Sequence, residues 1–250
     1  MEWYIYLLIV VAGFIAGFIN TLAGAGSLLI LPLLIFLGLP ATIANGTNRI
    51  GVLLQSIVAT RSFKQKKLFV WPEAIEYLIP ASVGAVLGAS LAVTLNEHLM
   101  QRVIGGLLIF MFFVVLYKPE RWINDAKSLM LTPMLRILRG GAFFLVGLYG
   151  GFIQAGVGYF LLASFVFLTG SNLLKSNALK VLLTMVFTAF ALVVFMLNRE
   201  VDYFIGLLLG VGSMSGAWFA AKIAIKRGAP FVRYFLLATL FVFSVKLLFF

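Results

Sequence analysis

Long apolar runs separated by short polar connectors make up almost the whole chain. Eight of these runs are about 20 residues long, the length that a helix needs to cross the hydrocarbon core of a bilayer. Two shorter runs follow glycine-rich breaks. This pattern predicts an all-α integral membrane protein with 8–10 membrane-embedded helical segments, the short ones being broken or re-entrant helices. The long runs are 3–23, 41–60, 74–95, 99–117, 133–155, 173–197, 203–221 and 231–250, and the short runs are 27–37 and 159–168.

The composition supports lipid as the main solvent of the chain. Of its 250 residues, 63% are hydrophobic and 11% are charged, whereas soluble proteins average roughly 45–50% apolar and about 25% charged residues. The net charge is +11, but basic residues of membrane proteins collect in cytoplasmic loops. No basic tract with interleaved aromatic residues indicates a nucleic-acid surface. We therefore expect the lipid bilayer, and not nucleic acid, as a partner.

The two halves of the chain resemble each other. Gly156 follows Gly24 by 132 residues, and the same offset relates further glycines and an asparagine without a gap. The glycine pair Gly84 and Gly88 recurs at an offset of 128. The sequence therefore predicts one transmembrane domain built from two repeats, 1–125 and 126–250. The matched positions are Gly24–Gly156, Gly26–Gly158, Gly38–Gly170, Asn45–Asn177, Gly84–Gly212 and Gly88–Gly216.

The positions of the basic residues predict how the repeats are oriented. Most Lys and Arg residues lie in or beside the stretches 61–67, 118–139 and 222–233, and such stretches are retained in the cytoplasm. Placing all three on that side requires an odd number of crossings in each repeat. The two repeats then have inverted topologies, and both termini are extracytoplasmic. Whether the short runs cross or re-enter stays open, because both alternatives give an odd number.

Two glycine-rich breaks interrupt apolar segments at matched positions. They contain Gly24, Gly26 and Ser27 in the first repeat, and Gln154, Gly156 and Gly158 in the second. An irregular backbone survives in a membrane only where protein or water covers it, and in inverted-repeat transporters such breaks present helix amino ends to anions. The alternative is that these glycines only allow close helix packing, which is the interpretation we prefer for Gly84, Gly88, Gly212 and Gly216.

Polar residues within the predicted spans lie close to the breaks. The first repeat contributes Asn20, Thr21, Asn45, Thr47, Asn48 and Arg49, and the second contributes Asn177 and Lys180. Arg49 and Lys180 have no acidic residue beside them within a span. A cation inside the membrane is a candidate for function, and a positive environment suits an anion. The alternative is that Arg49 and Lys180 satisfy backbone carbonyls or extend to the surface.

Other kinds of chemistry have little support in the sequence. His98 is the single histidine and is predicted in a short outer loop, and the chain has no cysteine. There is no carboxylate pair, no cluster of metal ligands, and no nucleophile beside a base. We therefore expect no enzyme activity, no metal and no cofactor.

The residues around the breaks also carry a family resemblance. The run GFINTLAGAGSLLILPLLIFLGLPATIANGTNRI from Gly17 to Ile50, with YGGFIQAGVGYFLL and NALKV in the second repeat, resembles the sulfite exporter TauE/SafE family, also called toluene sulfonate uptake permeases. The resemblance implies a bacterial inner-membrane transporter of sulfite, sulfoacetate or related sulfonates.

The leading hypothesis is a secondary transporter, an exporter, of a small anion, sulfite or an organosulfonate. It would work by alternating access between the repeats, and a homo-oligomer is left open. The alternatives are an anion channel and a non-transporting membrane scaffold. The candidate substrate-binding residues are Asn20, Thr21, Gly24, Gly26, Ser27, Asn45, Thr47, Asn48, Arg49, Gln154, Gly156, Gly158, Asn177 and Lys180.

Overall fold

The computed structural model describes residues 3–69, 71–116 and 132–249, and all regular secondary structure in these ranges is helical. The predicted repeat boundary at residue 125 and the polar stretch around it, 117–131, lie outside the described residues. The helices are α1 (Trp3–Leu22), α2 (Ser27–Phe36), α3 (Ala41–Gln65), α4 (Trp71–Val93), α5 (Glu97–Leu116), α6 (Pro133–Phe152), α7 (Val157–Ser164) with a π-helical turn (Phe165–Thr169), α8 (Leu173–Leu197) and α9 (Tyr203–Phe249).

The last helix is interrupted at one residue. Gly228 has φ = 70° and ψ = −165°, a conformation that glycine adopts without the steric cost other residues meet. The break divides α9 into two arms, 203–227 and 229–249. These arms correspond to the last two long apolar runs of the sequence.

Five described helical segments are long and apolar enough to cross a membrane, which supports the prediction of a multi-pass membrane protein. They are Trp3–Leu22, Ala74–Val93, Pro133–Phe152, Leu173–Leu197 and Tyr203–Gly228. The short apolar helices Ser27–Phe36 and Val157–Thr169 accompany them. The 25-residue helix α3 is less apolar, and most of it is buried inside the bundle. Because protein rather than lipid surrounds α3, Asn45, Asn48 and Arg49 meet hydrogen-bonding partners within the bundle.

Glycine contacts bring two pairs of helices into close approach. Helix α4 packs on α6, and the first arm of α9 packs on α1, with backbone against backbone at each glycine. A side chain at these positions would collide with the facing helix. The expected packing role of Gly84, Gly88, Gly212 and Gly216 is confirmed. The residues are Gly84, Gly88, Gly212, Gly216, Gly13, Gly17, Gly147 and Gly151.

Helices α3 and α8 cross at the centre of the bundle in antiparallel orientation. Gly46 and Arg49, near the start of α3, lie beside Phe195, near the end of α8. Each helix also packs against the fourth helix of the other repeat, α3 on α9 and α8 on α4. Such matched contacts are those expected of a duplicated chain, while the inverted orientation of the repeats stays a prediction.

Candidate functional site

The two glycine-rich breaks meet at the centre of the molecule. Gly24 follows the end of α1 with φ = 83°, and Gly156 precedes α7 with φ = 71°. The backbones of Gly24 and Gly158 are in contact, and a Cβ atom on either residue would strike the other. The Tyr149 hydroxyl also donates a 2.5 Å hydrogen bond to the Ala155 carbonyl within the second break. The chain therefore needs glycine here both for backbone conformation and for space.

A cavity lies beside the meeting point of the breaks. Its empty volume, counted together with the solvent space at its opening, is about 330 Å³. Both breaks line it, together with the middle of α3 and the first half of α8. The lining residues are Asn20, Thr21, Gly24, Ser27, Val52, Gln55, Ser56, Gln154, Val157, Gly158, Lys180, Val181 and Thr184.

Lys180 is the one ionisable side chain among the described residues that line the cavity. It is 2% exposed. Its Nζ donates hydrogen bonds to the carbonyl oxygens of Asn20 at 3.0 Å and Thr21 at 3.1 Å. These carbonyls belong to the last turn of α1, where the helix dipole favours a cation. An ammonium group carries three N–H donors, so one donor remains beyond these two contacts.

Hydrogen bonds hold the polar groups of the first break in place. The Ser27 hydroxyl accepts a 3.1 Å hydrogen bond from the Asn48 amide, and the Asn20 side-chain oxygen accepts a 2.6 Å bond from the Gly26 backbone N–H. Asn48 therefore holds the Ser27 side chain in place, although Asn48 does not itself line the cavity. Ser27 begins α2. The N–H groups of Leu28 and Leu29 already donate to the Ala25 and Gly26 carbonyls, so Ser27 supplies the backbone N–H of this helix start that an anion can reach.

Gln154 supplies the polar side chain of the second break. It is 2% exposed, and its Nε2 donates to the Thr188 hydroxyl of α8. Its Oε1 has no hydrogen-bond partner among the described residues. A buried acceptor without a donor is costly, so this oxygen is a candidate contact for a bound molecule.

Arg49 lies outside the group of cavity-lining residues. The fully buried guanidinium donates to the carbonyl oxygens of Gly151 at 2.5 Å and Gly150 at 3.1 Å, and it stacks 4.5 Å from the ring centre of Phe195. Weaker contacts reach the Phe152 carbonyl and the Asn45 side chain. These carbonyls end α6, so Arg49 caps that helix. Its contacts are those of the alternative interpretation, a cation that satisfies backbone carbonyls.

The remaining candidate residues also lie away from the cavity lining. The Asn45 side chain donates to the Phe152 carbonyl at 2.8 Å, and the Thr47 hydroxyl accepts from the Asp202 backbone N–H at 2.9 Å. Asn177 is fully buried, and neither of its side-chain polar atoms has a partner in the described ranges. Gly26 and Gly156 belong to the breaks but do not line the cavity.

Sequence reasoning did not include six of the lining residues. A helical-spacing signal could have found three of them: Gln55 and Ser56 lie seven and eight positions after Asn48, and Thr184 lies four positions after Lys180. The other three are valines, which have no chemical signature within an apolar span. They are Val52, Val157 and Val181.

A helical bundle that is apolar enough to span a membrane, with a small polar cavity where broken helices meet, is typical of membrane transporters. The family model described as sulfite exporter TauE/SafE matches residues 9–247, and the chain belongs to this family. It is a multi-pass membrane transporter of that type. Membership implies a transport role and not a catalytic one.

Three relatives have similar lengths and descriptions. A Sinorhizobium sp protein described as "Probable membrane transporter protein ORF9" is 29% identical over 248 residues, which cover 99% of this chain and 94% of the relative. The Escherichia coli K12 "Probable membrane transporter protein YfcA" is 28% identical, with coverage of 94% and 86%. A Haemophilus influenzae "Probable membrane transporter protein" is 26% identical, with coverage of 95% and 92%. No solved structure matches the chain significantly.

Proposed function

We propose that this protein is a secondary transporter that exports sulfite or an organosulfonate across the cell inner membrane. The single observation that carries the proposal is the buried Lys180 ammonium group in the lining of a cavity where both helix breaks meet. The family description, sulfite exporter, supports an anion of this kind. Alternating access of two inverted repeats would expose the cavity to each side of the membrane in turn.

The neighbouring groups suit an oxyanion. The remaining N–H of Lys180 would contact one anionic oxygen, and the Ser27 hydroxyl and backbone N–H at the start of α2 would contact another. Helix α7 begins at Val157, another lining residue, and contributes a second helix amino end. Arg49 would act from outside the cavity by capping α6.

The position of the cavity along the helices supports loading from the cytoplasm. Gln55 and Ser56 lie in the second half of α3, and Lys180 lies in the first half of the antiparallel α8. The exposed basic residues Arg61 and Lys64 follow on the same end of α3. If this end is cytoplasmic, as the positive-inside rule expects, the cavity lies nearer the cytoplasm and both termini are extracytoplasmic.

Thermal unfolding of the purified protein tests this function. A ligand that binds the folded state raises the melting temperature as its concentration rises, so sulfite or an organosulfonate should raise it more than chloride does at equal ionic strength. Lys180→Gln should abolish the difference. Lys222→Gln is the matched control, because Lys222 is exposed and lies over the Trp218 ring, away from the cavity.

Two results would reject the proposal. One is an equal effect of every anion on the wild-type protein. The other is an unchanged anion response in a folded Lys180→Gln variant. If neither result is obtained, saturable counterflow of radiolabelled sulfite in proteoliposomes would distinguish a carrier from an anion channel.

A further inference from the structure

We infer that the cavity binds monoanions in preference to dianions, and that among monoanions it prefers those with a hydrogen-bond donor of their own. The inference rests on the proposed function and narrows its substrate class. It follows from the charge and the unpaired acceptor in the described lining of the cavity.

The cavity lining holds one positive charge. Lys180 is the ionisable residue among the thirteen lining positions, and the rest are neutral polar groups, glycines and valines. Two other buried cations are bound elsewhere: Arg49 to the end of α6, and Arg139 through a 2.7 Å hydrogen bond from Nε to the Leu168 carbonyl. Neither Arg49 nor Arg139 lines the cavity.

One buried cation compensates one negative charge. A buried charge without a partner is strongly unfavourable in a low-dielectric interior. A sulfonate or a singly protonated sulfite forms a neutral pair with Lys180, whereas sulfate or sulfoacetate brings a second negative charge with no described cation to meet it. The three valines give the carbon chain of a small sulfonate an apolar surface.

Gln154 adds the preference for a donor. Its Nε2 donates one of its two N–H groups to the Thr188 hydroxyl, and its buried Oε1 is an acceptor without a partner among the described residues. An anionic oxygen beside Oε1 would be repelled, whereas a ligand O–H or N–H there would form a hydrogen bond. A hydroxyl on the ligand therefore satisfies an acceptor that a purely alkyl sulfonate leaves unpaired.

Four probe anions test both parts of the inference on the purified full chain. Dissociation constants are measured by calorimetry at neutral pH for 2-hydroxyethanesulfonate, propane-1-sulfonate, sulfate and sulfoacetate. Both monoanions should bind at least about tenfold more tightly than sulfate or sulfoacetate, and the hydroxylated sulfonate should bind about tenfold more tightly than the alkyl one, the ratio that one net hydrogen bond supplies.

Two variants separate charge from hydrogen bonding. Ser56→Lys adds a second cation to the cavity and should raise sulfate affinity relative to propane-1-sulfonate, and Gln55→Lys repeats the test from the next lining position if the first variant does not fold. Gln154→Met removes the unpaired acceptor and should bring the ratio between the two sulfonates close to one.

The outcomes distinguish the inference from the function beneath it. Sulfate binding as tight as sulfonate binding in the wild-type protein overturns the charge preference and leaves anion transport standing. Equal binding of the two sulfonates overturns the donor preference. Absence of binding by every sulfur anion, sulfite included, overturns the proposed function and the inference with it.

Discussion

Arg49 and Lys180 each bind the final backbone carbonyls of a helix from the other half of the chain. Arg49, on α3, caps α6, and Lys180, on α8, caps α1. The last carbonyls of a helix have no partner within it, so a buried cation stabilises them and is itself stabilised. The two residues differ in one respect: Lys180 borders the cavity and Arg49 does not.

Removing the Arg49 side chain should destabilise the fold. Arg49→Ala leaves the carbonyls of Gly150 and Gly151 without this donor, and an unsatisfied buried acceptor costs about 1–3 kcal/mol. We expect a clearly lower melting temperature in detergent, with a smaller loss for Arg49→Lys. The folded fraction of either variant should still respond to anions. A variant of wild-type stability that no longer responds would instead place Arg49 in contact with the ligand.

At the scale of elements, the glycine positions combine backbone conformation and space in different ways. Gly24 has a positive φ and also contacts Gly158. Gly158 makes this contact but does not have a positive φ. Gly38 has a positive φ of 93°, with open space around it. The two requirements can therefore be measured separately.

Alanine substitutions at these glycines should follow a definite order. Gly24→Ala should be the most damaging to stability and transport, because it meets both strain and collision. Gly38→Ala should cost only the strain of its backbone conformation. Gly105→Ala, a helical position with open space around the added methyl group, should retain wild-type stability. Melting temperature and expression level measure the series, and equal behaviour of Gly24→Ala and Gly105→Ala would contradict the packing of the breaks.

The connection between α8 and α9 carries a carboxyl group with an altered pKa. Partial burial and the nearby Glu97 carboxylate raise the pKa of Glu200. Glu97 is itself bound to the start of α3, where its two oxygens accept from the Ala41 N–H at 2.7 and 2.9 Å. Because the folded-state pKa is raised, the contribution of Glu200 to stability is largest at low pH and declines as pH rises through the folded-state value.

Glu200→Gln should therefore raise the melting temperature at neutral pH, and the gain should shrink as pH falls toward about 4, near the ordinary pKa of a glutamate. Glu97→Gln should act in the opposite direction, since it removes the carboxylate from a helix amino end. The measurement is a pair of melting curves across pH. A pH-independent gain for Glu200→Gln would show that the charge is not responsible.

At the scale of the whole molecule, the cavity lies to one side of the crossing between α3 and α8. On the other side, Phe195 and the Arg49 guanidinium fill the space between these helices. The described conformation is therefore asymmetric, although the helices pack in matched pairs. A transporter with one accessible side is expected to have a second conformation with the opposite asymmetry.

Single-cysteine labelling can test which side the cavity faces, because the native chain has no cysteine. Ser56→Cys lines the cavity and should react with a membrane-impermeant maleimide from the cytoplasmic side, more slowly when a sulfonate is present. The exposed positions Lys64→Cys and His98→Cys serve as references for the sides that the proposed topology makes cytoplasmic and outer. Reaction of Ser56→Cys from the His98 side would reverse the proposed orientation.

Several properties depend on local sequence and could be predicted from it. The apolar runs predict helix lengths, because a span must match the bilayer thickness. The glycines of the two breaks and of the close helix pairs are visible as spacings, and the presence of buried cations follows from Arg49 and Lys180 within apolar segments. The family could be named from the motif around the first break, and the family model confirms it.

Only the tertiary structure decided which of the two cations borders the cavity. Both lie in equivalent helices near asparagines, and neither has an acidic residue beside it within a span. The decision depends on which helix end each cation meets across the molecule, a contact between residues more than 100 positions apart. Gln55 and Ser56 line the cavity because packing between distant segments places the other lining residues opposite them. Periodicity along a helix is set locally, whereas the partner that faces each side chain is set by packing between distant segments.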